Sequence, residues 1–129
     1  MFTRLEDFKT DWAYESDATL KVLRALTDAS LAQAVTPGRR TLGRIAWHLV
    51  LTIPEMLGQT GLTIEGPGEQ APVPSSAAQI VAAYEAVAAA LSTRVAAEWN
   101  DATLEVVDLT YGEHWKRGFD LIGDLVRAA

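Results

Sequence analysis

The chain has no cysteine. That excludes disulfides, a thiolate nucleophile and a thiolate-held metal. Histidine is almost as scarce, with His48 and His114 alone in 129 residues. Basic residues are outnumbered 11 to 17, giving a formal net charge of −6 and a pI near 4.8. A general phosphate-backbone binder needs a basic face, so nucleic acid is not expected as a partner. No long uninterrupted apolar run occurs. The longest, Ala77–Ala97, is alanine-rich and broken by Glu85 and Arg94, the pattern of a bundle helix and not of a membrane span. The first residues, MFTRLEDFKTDW, carry acids where a signal peptide would carry an apolar stretch, so the cytoplasm is the expected location. There is no G-x-S-x-G, no phosphate loop, no dinucleotide fingerprint and no internal repeat.

What is present is helical periodicity. The length suits one domain over residues 1–129. Leu5, Phe8, Trp12, Thr19, Leu23 and Leu26 recur at helical spacing and predict a first helix over Thr3–Thr27. A break follows, with one helical turn at Leu31–Val35, closed by Thr36-Pro37-Gly38. Thr41–Gly61, reading TLGRIAWHLVLTIPEMLGQTG, predicts the second helix. Thr41 is its N-cap, Gly58 or Gly61 its stop, and Pro54 a kink. Leu42, Ile45, Leu49, Ile53 and Met56 are expected to face the core, with His48 on the flank of that stripe. An imidazole near a bundle interior is a candidate metal ligand or base, although a lone histidine is more often hydrogen-bonded structure.

Residues 60–75 hold three prolines and three glycines and predict a long loop. A helix of about 19 residues is roughly 28 Å long, and about 14 extended residues can span roughly 45 Å. The loop can therefore run back along the second helix. The third helix runs from a Ser75 or Ser76 cap to about Glu98, with Ile80, Tyr84, Val87, Leu91 and Val95 inward. Leu104–Leu109 suits a short extended piece. Tyr111–Gly118 reads as a turn into a short fourth helix with Trp115, Phe119, Ile122 and Val126 on its stripe. The expected fold is an all-α four-helix bundle, up-down-down-up, with a crossover loop between helices two and three.

Trp12, the PGRRTLGRIAWHLV run at Pro37–Val50, and Tyr111-Gly112-Glu113 with Trp115, Lys116, Arg117 and Gly118 together resemble the DinB-like family of bacterial four-helix-bundle proteins. The resemblance covers nearly the whole chain. It implies a divalent metal, zinc or nickel, held by three histidines, with a small-molecule substrate and chemistry of transferase or hydrolase type. In some members the metal activates a low-molecular-weight thiol. His48 matches the ligand from the second helix. The other two would form H-x-x-x-H in the fourth helix, the first near Ala128; no such pair occurs here. One imidazole does not hold zinc or nickel tightly. Asp120 and Asp124, four residues apart, are a weaker substitute set, and His114 with Glu113 is expected at the surface. The alternative is a non-catalytic scaffold or interaction module that kept the fold without the site.

Two further expectations follow from the second helix. Arg39, Arg40 and Arg44 cluster at its start and would make at best a weak anion site in a negative protein. Trp47, Val50, Leu51 and Pro54 lie opposite the expected core stripe, between roughly 80° and 180° from Leu42. That second apolar face must be covered by the loop, through Leu62, Ile64 and Val73, or by a second subunit. A homodimer is expected on this ground, and the resemblance agrees.

Overall fold

Thr41 accepts the backbone N–H of Arg44 at 3.2 Å, and Ser76 accepts that of Gln79 at 3.3 Å. These two caps open the two helices expected of them. The computed structural model, which describes residues 2–34 and 36–128, holds four helices and one small sheet. They are α1 (Leu5–Arg24), α2 (Leu42–Gly58), α3 (Ala77–Glu98), the antiparallel strands β1 (Val107–Thr110) and β2 (Glu113–Lys116), and α4 (Ile122–Ala128). A 3-10 turn at Ser30–Ala32 stands where a helical turn was expected; Val35 lies outside the described residues.

The core follows the periodicity of α1 and α3 closely. Phe8, Trp12 and Leu23 on α1 meet Ile80, Tyr84, Val87, Leu91 and Val95 on α3, all at most 3% exposed. The Trp12 indole donates to the Ala88 carbonyl at 3.3 Å. By length and hydropathy α3 could cross a membrane, but its large side chains pack into the bundle and alanines supply much of its apolarity.

On α2 the expected stripe is rotated. The buried residues are Gly43, Ala46, Trp47, Val50, Ile53, Met56 and Leu57, while Ile45 is 38% exposed and Leu42 and Leu49 are half-buried. A helix apolar almost all round carries no clear phase. Here the side with the tryptophan wins because the crossover loop covers it. The Trp47 indole donates to the Ala71 carbonyl at 3.2 Å, and Leu62 and Ile64 are buried. Val73, a third candidate for that role, is 42% exposed. A Cβ on Gly66 would stand 2.7 Å from Val87 and 3.1 Å from Pro54, so the loop backbone lies against both α2 and α3. The apolar face that had pointed to a second subunit is thus covered largely by its own chain.

The segment before α4 departs from an all-α fold. β1 and β2 form a hairpin in the register Val107↔Lys116 to Thr110↔Glu113. Tyr111 and Gly112 at its tip have φ of +52° and +79°, the two positive values that a two-residue type I′ turn needs. Residues 113–116, expected as a turn into helix, are therefore a strand, and Trp115 is half-buried on it. The chain enters α4 through a π-helical turn, Arg117–Leu121, on which Phe119 is 51% exposed. Asp120 caps that turn by accepting the Lys116 N–H at 2.7 Å.

Gly118 is fixed by a close approach. The Phe2 N–H donates to the Gly118 carbonyl at 2.8 Å. A Cβ on Gly118 would stand 2.2 Å from the Phe2 carbonyl oxygen and 3.0 Å from Leu104. Arg117 beside it ties the hairpin down. Its guanidinium donates to both carboxylate oxygens of Asp108 at 2.7 and 3.0 Å and to the Thr60 carbonyl at 3.2 Å, and lies 5.4 Å from the Trp99 ring centroid.

Candidate functional site

The rotation of α2 sets the position of His48. With Trp47 and Val50 inward, His48 faces outward and is exposed. It lines two adjoining clefts. One, of about 350 Å³, lies between α2 and the crossover loop and includes Arg40, Arg44, Trp47, Leu51 and Glu69. The other, of about 300 Å³, continues along α2 past Leu51 and Thr52 to Glu55, again with Glu69 opposite. The face of α2 thus runs Arg44, His48, Thr52, Glu55 at intervals of three or four residues, as one helical face requires. Basic groups stand at its N-terminal end, carboxylates at the other, and His48 between.

Glu55 was expected to be solvated. It is half-buried and both carboxylate oxygens are engaged: the Tyr111 hydroxyl donates to one at 2.5 Å and the Gln59 amide to the other at 3.3 Å. The Tyr111 phenol is pushed above its ordinary range, first by burial, then by that hydrogen bond and by the negative charges of Glu55 and Glu69. Tyr111 is therefore a neutral donor across the ordinary pH range. Tyr111 packs edge-on against Trp115, with ring centroids 5.3 Å apart.

Other candidates fall elsewhere. His114 is exposed on β2, opposite Leu109. Asp120 is spent on the Lys116 N–H and Asp124 pairs with Arg127. Among the described residues no three His, Asp or Glu side chains are grouped so that they could share an ion. The described donor set therefore does not fit zinc or nickel, which need three or more protein ligands for tight binding. Glu69 and Tyr111 were not singled out from sequence as site residues. Glu69 sits in a loop without periodicity, and Tyr111 reaches Glu55 only because the hairpin folds back on α2.

The profile of the DinB family matches residues 1–117. YrdA, an uncharacterized protein of Bacillus subtilis strain 168, is 43% identical over 105 residues, which is 81% of this chain. The chain spans 63% of YrdA's length. The crystal structure of a DinB-like protein from Bacillus cereus superposes with a TM-score of 0.93 at 38% identity, covering 98% of this chain and 84% of that one.

Proposed function

The chain belongs to the DinB family, and on that premise we propose that the cleft at His48 binds a small molecule, with the imidazole as its central recognition and proton-handling group. The carrying observation is an exposed histidine where two clefts meet, flanked by cationic and anionic side chains. An imidazole carries two ring nitrogens and can donate or accept a hydrogen bond or a proton. The transferase or hydrolase type implied by the family is the reaction class we assign. No step of it is routed through a metal, because among the described residues no three His, Asp or Glu side chains are grouped to share an ion.

We read the helix order as up-down-down-up. The loop leaves α2 after Gly58, passes Trp47 at Ala71, and reaches Ala77, whose N–H donates to Asp28 at 2.7 Å. This return is what gives the cleft its second wall. We place the protein in the cytoplasm. A homodimer is also proposed, now through the opposite side of α2, where Ile45 is exposed beside Leu42 and Leu49. Light scattering should then give twice the 14.0 kDa chain mass, and one chain mass in Ile45→Glu. A monomeric wild type would overturn the dimer.

A ligand-observed NMR screen of small polar fragments against wild type and His48→Ala tests the site. Hits lost in the variant, with unchanged helical circular dichroism, support it. Hits indifferent to the substitution, or none, refute it. The non-catalytic scaffold reading draws on the incomplete ligand set. Zinc or nickel bound stoichiometrically below about 1 µM, and lost in His48→Ala, would overturn both the scaffold and the statement that these residues do not hold a metal.

A further inference from the structure

The cationic side chains divide into two groups. Lys9, Lys21, Arg24, Arg94, Lys116, Arg117 and Arg127 all make ion pairs. Among the described residues, Arg4, Arg39, Arg40 and Arg44 make none, and three of those four fall within six positions of one another. In a chain with 17 acids, carboxylates for them were plentiful. Two carboxylates line the same clefts, and neither makes an ion pair with these arginines. Asp28 accepts the Ala77 N–H, and Glu69 stands on the loop side.

Arg40 and Arg44 are placed where unpaired guanidinium groups have an effect. Both line the His48 cleft, and both also line a neighbouring cleft of about 460 Å³ that runs from Asp28 to Ser75. They form the shared wall between the two, with Val73 of the crossover loop. His48 lies one helical turn beyond Arg44, on the same face. Trp47 and Leu51 supply apolar surface beside it. A guanidinium presents paired donors to an oxyanion, and carboxylates and phosphates match that spacing equally.

We propose that Arg40 and Arg44 bind the oxyanion of a small organic acid or phosphate monoester, whose apolar body lies along Trp47 and Leu51 toward His48. This specifies the ligand class of the cleft and so rests on the reading of His48 as its centre. The helix N-terminus is not the device: the Leu42 N–H donates to Gln33, those of Arg44 and Ile45 to Thr41, and Gly43 is buried against Leu31. The side chains carry the site.

Phenyl phosphate, benzoate and inorganic phosphate, titrated separately against the full chain and followed by 1H–15N shifts of the arginine Nε–H groups, test it. Phenyl phosphate or benzoate should bind with a Kd on the order of 1 mM or tighter, shifting Arg40 and Arg44. Arg40→Gln with Arg44→Gln should weaken binding at least about tenfold, since each charge-assisted pair contributes about that much. Arg4→Gln should leave it unchanged. The stronger aryl probe distinguishes a phosphate ester from a carboxylate, and inorganic phosphate binding as well as either would show that the apolar wall takes no part. Equal binding in wild type and double variant, or no binding, overturns the proposal. Binding that needs the arginines but survives His48→Ala keeps this inference and removes the His48 reading. Fragments that need His48 but ignore both arginines do the reverse.

Discussion

Arg117 gives the most direct test of how the hairpin is held on the bundle. In Arg117→Met the apolar stem persists and the guanidinium goes. Asp108, whose side chain is 17% exposed, is left with a charge and no partner; Arg117 itself is 14% exposed. Removing one member of a fully buried pair costs about 3–5 kcal/mol, and this pair keeps some contact with water. The lost donor to Thr60 adds about 1 kcal/mol, and the contact with Trp99 about 0.5–1 kcal/mol. These belong to one network and do not add, so about 3 kcal/mol is expected in total. Against a typical stability of about 5–15 kcal/mol, that is a large fraction. With an m-value of about 1.5–2 kcal/mol per molar urea, the midpoint should fall by about 1.5–2 M. Circular dichroism and tryptophan fluorescence should report the same transition. Most of the loss is the stranded carboxylate, so Arg117→Met with Asp108→Leu should recover at least half of it. A single variant within about 0.5 kcal/mol of wild type, or a double variant worse than the single, would refute the reasoning.

Three other outcomes are expected. Gly118→Ala should cost more than about 3 kcal/mol, because its methyl would collide with the Phe2 carbonyl and Leu104, whereas Gly68→Ala, with nothing within 4 Å, should stay within about 0.5 kcal/mol; similar urea midpoints for the two would show that the N-terminal contact yields easily. Tyr111→Phe should lose the hydrogen bond to Glu55 and be less stable than wild type near neutral pH. Because the phenol's folded pKa is raised, that wild-type advantage is complete below the unfolded value of about 10 and shrinks as pH rises toward the folded one. An advantage undiminished near pH 11 would contradict the assignment. Trp47→Phe removes the donor to Ala71 and should loosen the crossover loop, seen as faster amide exchange at residues 62–73 with α1 and α3 unchanged; uniform exchange across the chain would place the effect in global stability instead.

α1 was legible because its apolar face has polar flanks, and α3 because its large apolar side chains recur on one stripe among alanines. Phe8, Trp12 and Leu23, and the five-residue stripe from Ile80 to Val95, are buried as their spacing requires. The hairpin was half legible. Val106 and Val107 signalled extended chain, but Tyr111-Gly112 is an uncommon pair for a type I′ turn, where asparagine or aspartate usually precedes the glycine. Without that signal, β2 was absorbed into the approach to a helix.

α2 was legible in extent and not in phase, and the functional consequence lies there. Leu42, Ile45 and Leu49 on one side and Trp47, Val50 and Leu57 on the other are equally apolar, so periodicity alone cannot choose the inward face. The choice is made by residues 62–71, which are remote in sequence and have no periodicity of their own. By covering Trp47 they turn His48 outward, which moves the imidazole from a helix–helix interior to a cleft walled by the loop. Interior histidines on neighbouring helices can converge on an ion; a histidine between a helix and a loop meets whatever that loop presents. Here it presents Glu69, Ala71 and Val73, with Arg40 and Arg44 on the same wall of α2. The chemistry available to His48 is therefore set by a loop whose function periodicity could not reveal, and exchanging that loop should alter ligand binding while leaving the four helices folded. Cleft-binding fragments that bind unchanged after Glu69→Gln and Val73→Ser would show that α2 alone defines the site.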